Sequence, residues 1–258
     1  MGTRVQRHKW GKGWRYSLDG EWVRTRVTDV GRLLDTGDGL RNWYALMAAQ
    51  WAVDHAEEAR QMSPQEFKTA AHRAPVEARD AKAKVGTSLH ELFELLGTGA
   101  PVDAPDELRS RVQLLADFYD RHDVDVLAAE AMVYHDTLKY VGTLDCVVEL
   151  TINGQRRVLL LDLKTGGVWP EVCLQLAGYR YATHVQIDGE DLPMSALGIT
   201  GAGVLALGAN DWELVPVDTG DVPWSTFKHL LAVKATWTNA KRDELVFPPL
   251  PKPELVTP

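Results

Sequence analysis

The stretch that decides the fold runs from residue 141 to residue 165: Val-Gly-Thr-Leu-Asp-Cys-Val-Val-Glu-Leu-Thr-Ile, then Asn153-Gly154, then Gln-Arg-Arg-Val-Leu-Leu-Leu-Asp-Leu-Lys-Thr. Asn-Gly between two apolar, β-branched runs signals a two-residue type I′ turn, because both residues tolerate positive φ. That turn sets Ile152 opposite Gln155, so paired positions sum to 307 and Asp145 falls opposite Asp162. Side chains alternate with period two, which puts Lys164 on the face of Asp162 and sends Leu159, Leu161 and Leu163 to the other. One face is expected to carry chemistry and the other to pack.

Directly opposed side chains lie about 5 Å apart at Cβ, and two like charges at that range repel by about 3 kcal/mol at an effective dielectric near 20. A divalent cation such as Mg²⁺ offsets this, since hard cations take carboxylate oxygens, and Lys164 adds a positive charge beside the pair. The alternative is a solvated hairpin face. Acid-x-Lys triplets occur at Glu66-Phe-Lys68, Asp80-Ala-Lys82 and Asp162-Leu-Lys164. Of these, the first two sit in helical, charged surroundings.

With 258 residues, 45% of them hydrophobic, the chain is long enough for a sizeable core, as one embellished domain or two closely packed ones. No window approaches the roughly 18 to 20 apolar residues of a membrane span, and the basic N-terminus lacks the apolar core of a secretory signal. A soluble protein of the cytoplasm is therefore expected. Two cysteines, Cys146 and Cys173, are too few for a disulfide framework, a four-thiolate zinc site or a four-cysteine iron–sulfur cluster. Cys146 alternates with Asp145 and reads as core.

Charge is unevenly spread. The first 26 residues hold seven Lys or Arg against Asp19 and Glu21, a net +5, which leaves −13 on the remaining 232. Arg7, Lys9, Lys12, Arg15, Arg24 and Arg26 flank Trp10, Trp14, Tyr16 and Trp22, a mixture that neutralises phosphates and stacks on bases. Lys9, Trp10, Lys12, Trp14 and Arg15 are the candidate nucleic-acid contacts. A basic terminus whose tryptophans merely cover the core is the alternative. Asp19-Gly20 suggests a small hairpin.

Leu40, Trp43, Tyr44, Met47 and Trp51 have the spacing of one buried helical stripe. Ser63-Pro64-Gln65-Glu66 is a capping box that starts a second helix, and Ser88 with Glu91 suggests the start of a third, ending at Gly97 and Gly99. Pro101 to Pro105 is a connector, and a helix over about 106–121 buries Leu108, Val112, Leu115 and Tyr119. Three strands are expected at Leu127–His135, Tyr140–Ile152 and Gln155–Leu163. Helical spacing resumes over Trp169–His184, followed by strands at Ala202–Leu207 and Trp212–Val217 and a helix near Trp224–Asn239. The sum is an α/β fold, a mixed sheet flanked by helices. Residues 1–100 read as a basic segment and helical region carrying His90, residues 101–247 as the core, and residues 248–258 as a Pro-rich tail.

Four further positions bear on the acidic pair. His90 lies off the apolar stripe of Leu89, Leu92, Phe93 and Leu96, where its imidazole reaches a metal or pairs with Glu94. Glu130 faces the same cleft as the aspartates or sits at a sheet edge, a candidate auxiliary acid. Gln175 and Tyr179 share a helix face. Taken in order, Gly86-Thr-Ser-Leu-His90, Glu130, Gly142-Thr-Leu-Asp145, Asp162-Leu-Lys164 and Gln175-Leu-Ala-Gly-Tyr179 resemble the RecB-like branch of the PD-(D/E)xK nucleases. The resemblance covers about Val85 to Tyr181. The segment from Tyr16-Ser-Leu-Asp-Gly to Val27-Thr is similar to the start of small phage-encoded exonucleases.

The resemblance implies a restriction-endonuclease-like core and a metal-dependent DNA nuclease of recombination, repair or phage DNA processing. His90, Asp145, Asp162 and the Leu163 backbone carbonyl would hold Mg²⁺ or Mn²⁺. Lys164 would be the catalytic lysine, and Gln175 with Tyr179 would lie near the scissile phosphate. The Pro-Asp dipeptide that names the superfamily is replaced here by Gly142-Thr-Leu-Asp145, the form usual in this branch, and the iron–sulfur cluster of some relatives is not expected. By the same resemblance an exonuclease at DNA ends is favoured over a structure-selective endonuclease, with a single-strand annealing protein as a fitting partner. A DNA-binding module that kept the fold without catalysis is the reading from a different class.

Overall fold

The computed structural model describes residues 4–11, 13–34, 37–97, 104 and 106–239. Lys12 and the proline-rich stretch from 247 onward lie outside them. Three antiparallel strands open the chain, β1 (Val5–Trp10), β2 (Gly13–Leu18) and β3 (Glu21–Val23). Asp19 and Gly20, at φ 53° and 83°, make the expected tight turn between β2 and β3. Helices follow: α1 (Val27–Gly31), α2 (Asp38–Asp54), α3 (Ala56–Ala59), α4 (Pro64–Gly97) and α5 (Asp106–His122).

The capping box at Ser63 forms as read: Glu66 Oε2 accepts from the Ser63 backbone N–H at 2.8 Å and from its hydroxyl at 2.7 Å. Two helical expectations need correction. No helix starts at Ser88, because α4 continues unbroken through it. The residues before it, Val76 to Val85, are mostly strong helix formers, and a capping pair marks a start only where the preceding chain leaves the helix. Nor is the stripe on α2 buried: Leu40 is 53% exposed. The helix packs along α4, with Trp51 and Phe67 rings 5.8 Å apart and Arg79 donating to the Tyr44 hydroxyl at 2.9 Å. A helix lying on another helix buries far less of its stripe than one lying on a sheet.

The rest of the chain builds two sheets. Its elements are β4 (Asp125–Ala129), β5 (Met132–His135), β6 (Tyr140–Thr143), β7 (Cys146–Ile152), β8 (Gln155–Lys164), α6 (Val172–Arg180), β9 (His184–Ile187), β10 (Glu190–Pro193), β11 (Gly201–Leu207), β12 (Trp212–Val217) and α7 (Asp221–Asn239). A mixed five-stranded sheet has the order β12-β11-β8-β7-β4, with β8 and β11 parallel; a four-stranded sheet has the order β10-β9-β5-β6. The Asn153-Gly154 hairpin pairs as deduced, from Ile152 with Gln155 to Cys146 with Leu161, and its turn residues sit at φ 50° and 74°.

The two long strands expected at 127–135 and 140–152 are each broken in two. The break conserves register. Ala129 pairs with Cys146 before it and Met132 with Thr143 after it, and across it the Glu130 N–H donates to the Asp145 carbonyl at 2.8 Å and the Leu144 N–H to Ala131 at 3.0 Å. One antiparallel ladder thus runs through β4–β5 and β6–β7 and bends at Glu130, whose φ of 45° lets it pass from one sheet to the other. The β9–β10 hairpin is an addition to the expected elements. Asp188-Gly189 turns it at positive φ, while the expected helix over 169–184 contracts to α6.

The five-stranded sheet is covered on both faces. Val147, Leu160 and Val204 pack with Val27, Leu176, Tyr179 and Phe227 on one side. Cys146, Val148, Leu161 and Leu205 pack with Leu89, Phe93, Leu115 and Phe118 on the other. The hairpin face assigned to chemistry is therefore itself core at Leu160, and its polar function is confined to the strand end at Asp162 and Lys164. Close approach of α6 to β6 depends on Gly142, where an added Cβ would lie 2.6 Å from Tyr179 Cε1 and 3.1 Å from Val27. Gly142→Ala is expected to destabilise the protein by about 2 kcal/mol through overpacking, measured by urea denaturation; a change within error would show that the contact relaxes freely.

Candidate metal centre

The bend gathers polar groups that the sequence separates widely. Asp145 stands just beyond the last pair of the β7–β8 ladder, so it makes no ladder pair with Asp162. Its side chain reaches across instead, and Oδ2 accepts the Leu163 N–H at 2.8 Å. Asp162 is 1% exposed at the end of β8. Its Oδ1 accepts from Gln175 Nε2 at 2.8 Å. Its Oδ2 is ion-paired with Lys164 Nζ at 2.7 Å.

From the other core layer, α4 delivers His90. Leu89, Leu92 and Phe93 bury themselves against the sheet and turn the intervening imidazole to the bend. His90 Nδ1 lies 2.9 Å from Glu130 Oε1 and Nε2 lies 3.6 Å from Asp145 Oδ2. With Nδ1–H donating to Glu130, a neutral imidazole would carry its lone pair on Nε2, on the side of Asp145. This is the arrangement in which a carboxylate orients a metal-binding histidine. The tautomer follows from the hydrogen bond. Beside Glu130 opens a cleft of about 400 Å³ whose lining includes Glu94, Ala128 and Asp188.

The electrostatics favour a positive charge at this site. Burial, and then the charge of Asp162, push the Asp145 carboxyl up to about 6, against the pull of His90, the Leu163 N–H and Lys164. Burial opposes charge on His90, yet the Glu130 and Asp145 carboxylates outweigh it and raise the imidazole above its ordinary value. Burial above all, with Asp145 and Asp162 adding, holds the Tyr179 hydroxyl well above the usual range, so it stays neutral. Ligand atoms of His90, Glu130 and Asp145 lie within 4.8 Å of one another. This donor set is nitrogen and hard oxygen, which suits Mg²⁺ or Mn²⁺; Asp162, paired with Lys164, lies outside this group of three.

His90, Glu130, Asp145, Asp162, Leu163, Lys164 and Gln175 thus converge. Tyr179 joins them as a buried support, packed on Val27 and Gly142 and hydrogen-bonded by Gln175. Lys9, Trp10, Trp14 and Arg15 lie on the N-terminal sheet, outside this cluster. The contact that sequence reasoning missed is Glu130 with His90, 40 residues apart, where the sequence offers Glu94 as the carboxylate partner. A lone acid in an apolar strand was its one visible trace. Tyr16 was read only as part of the basic aromatic segment, yet it makes a hydrogen bond to Thr143 at 2.8 Å, two residues from Asp145. A scan against models of known protein families gave no match, and a search of curated proteins found no significant relative.

An acid whose pKa is raised by folding holds its proton more tightly when folded, so stability falls as pH rises through the window from 3.8 to about 6. Asp145→Asn cannot ionise and still accepts the Leu163 N–H. In scanning fluorimetry at about pH 7.5 with EDTA it is expected to melt above the parent, while Mn²⁺ should raise the parent's midpoint more than the variant's. A lower midpoint in EDTA would sink the repulsion account. Glu130→Gln should weaken Mn²⁺ binding about tenfold in calorimetry; unchanged affinity would remove Glu130 from the orienting role.

Proposed function

We propose that this chain is a divalent-metal-dependent deoxyribonuclease with a restriction-endonuclease-like core, similar to the RecB-like PD-(D/E)xK nucleases and acting at DNA ends. The observation that carries the reading is the meeting of His90 from α4, Asp145 from the bend and the buried, ion-paired Asp162 and Lys164 from the end of β8. The preference for ends rests on the resemblance alone.

In this reading His90 Nε2, Asp145, Asp162 and the Leu163 carbonyl would hold the metal. Bound there, the ion supplies Lewis acidity toward a phosphoryl oxygen and lowers the pKa of a water. The protein's own groups do the rest. Glu130 holds His90 in one tautomer. Gln175 locks the Asp162 carboxylate by its Oδ1, leaving Oδ2 toward Lys164 and the ion. Lys164, more exposed than Asp162, reaches from the buried acid to the place where a phosphate would stand. Its ammonium stabilises negative charge developing on the phosphorus oxygens or orients the attacking water. Leu163 and the apolar layers beneath keep bulk water from the acidic pair, which strengthens each of these interactions.

The test is digestion of end-labelled linear duplex, single strand and closed circle with Mg²⁺, Mn²⁺ or EDTA. The parent should degrade linear DNA only with metal. Lys164→Ala should lose about a hundredfold or more of the rate, and Asp162→Ala should lose cleavage while keeping DNA binding, since it removes negative charge. Cut circles would replace the end-dependent reading by an endonuclease. Absence of cleavage with DNA still bound would leave a binding module.

A further inference from the structure

The N-terminal sheet carries aromatic and cationic groups on both faces, and the two faces differ in what they adjoin. Register places Arg7 opposite Tyr16, and Lys9 opposite Trp14, so these four share the face of Val5 and Leu18. This inner face is anchored: Val5, Tyr16 and Leu18 pack on Tyr134 and Val141. Arg4 ties the sheet to the core by pairing with both Asp19, at 2.8 Å, and Asp136, at 2.7 Å. Beyond the anchor, Trp14 is 41% exposed, with the Arg7 guanidinium 4.5 Å and the Lys9 ammonium 4.6 Å from its ring. Trp10, with Arg15 3.9 Å from its ring, and Trp22 lie on the outer face.

The inner face is tied to the neighbourhood of the metal centre through buried Tyr16. Trp14 and Tyr16 are two residues apart on one strand, about 7 Å; Tyr16 hydrogen-bonds Thr143, and Thr143 lies two residues before Asp145. The cleft beside Glu130 offers another approach, but its lining carries Glu94, Glu130 and Asp188, which repel a phosphate chain. Charge selects the sheet. An indole with two cations over its ring offers phosphates two counter-charges and, once one cation swings onto a phosphate, offers a base a stacking surface; within a duplex only the terminal pair presents a free face.

We propose that the exposed end of this face, Trp14 with Arg7 and Lys9, is a platform for single-stranded nucleic acid that feeds the metal centre, with phosphates held by Arg7 and Lys9 and a base taking the place of one of these cations on the Trp14 indole. It rests on the nuclease reading for its destination. Its own content is the substrate form, a single strand or a frayed end.

Fluorescence anisotropy tests it with the full chain in EDTA, where nothing is cleaved, using a labelled oligothymidylate of about 12 nucleotides and a duplex of the same length. Single strand should bind more tightly than duplex. Trp14→Ala should weaken single-strand binding about tenfold, Trp22→Ala on the outer face should weaken it less, and Trp237→Ala on α7 should leave it unchanged. Replacing Arg7 and Lys9 by Ala should reduce the slope of log affinity against log salt by about 1.4. The proposal is overturned if duplex binds as tightly, if Trp14→Ala and Trp22→Ala lose equally, if Trp14→Ala changes nothing while its melting curve is intact, or if polyglutamate competes as well as the oligonucleotide. Binding through Trp14 without cleavage in any metal would overturn the nuclease reading alone. Cleavage with Trp14→Ala binding normally would overturn the platform alone.

Discussion

Everything at the centre of this molecule depends on how one antiparallel ladder changes sheets. At Glu130 the chain adopts positive φ, and the ladder of β4–β5 against β6–β7 bends without losing a step of register. A bend beside a ladder's end leaves backbone groups in need of partners, and a buried amide without one costs a few kcal/mol. The Asp145 carboxylate fills that need by accepting the Leu163 N–H. A structural demand of the backbone therefore fixes a charged side chain at the point where the two sheets part. Its neighbours Glu130 and Asp162 arrive there through the same pairing rules, one at the bend and one at the end of β8.

The hairpin was legible because Asn153-Gly154 admits one register, and counting along it brought Asp145 and Asp162 to the right neighbourhood. The bend was not legible. Residues 127–135 and 140–152 are strand-like runs interrupted by acids at Glu130, Asp145 and Glu149, the pairing sum is the same on both sides of the break, and no Gly or Pro marks a turn at the glutamate with φ 45°. The β9–β10 hairpin had a readable turn in Asp188-Gly189, obscured by extending helical spacing from Trp169 too far. The Ser88 capping pair misled for the opposite reason, since a good local signal sits inside a helix whose preceding residues never leave it. His90 had no periodic signature at all. Only the ordered motif suggested it, and its partner Glu130 became identifiable once tertiary packing had closed a gap of 40 residues.

The electrostatic state of the centre follows from this geometry and not from the charge of the chain. Net charge is −8 overall, yet the centre's behaviour is set by two buried carboxylates, one lysine and one imidazole. Lys164 pairs with Asp162, while His90 is shared between Glu130 and Asp145. This compensation is incomplete, as the raised Asp145 carboxyl shows. The same acidic bulk makes the basic N-terminal sheet conspicuous. Because Arg4 and Tyr16 moor that sheet to the core, its charge is held at a fixed place.

Helix α4 adds a consequence of another kind. It spans 34 residues, about 51 Å, with α2 alongside one part and His90 near the far end. That end is held to the sheet by Leu89, Leu92 and Phe93, the same residues that seat the imidazole. Occupancy of the centre and cohesion of this helix-to-sheet layer are therefore thermodynamically linked. In the proposed metal-binding reading, an ion held by His90 would tighten the layer, and by reciprocity whatever pries α4 from the sheet, whether heat, denaturant or a pull on its distant end, would also loosen the ion.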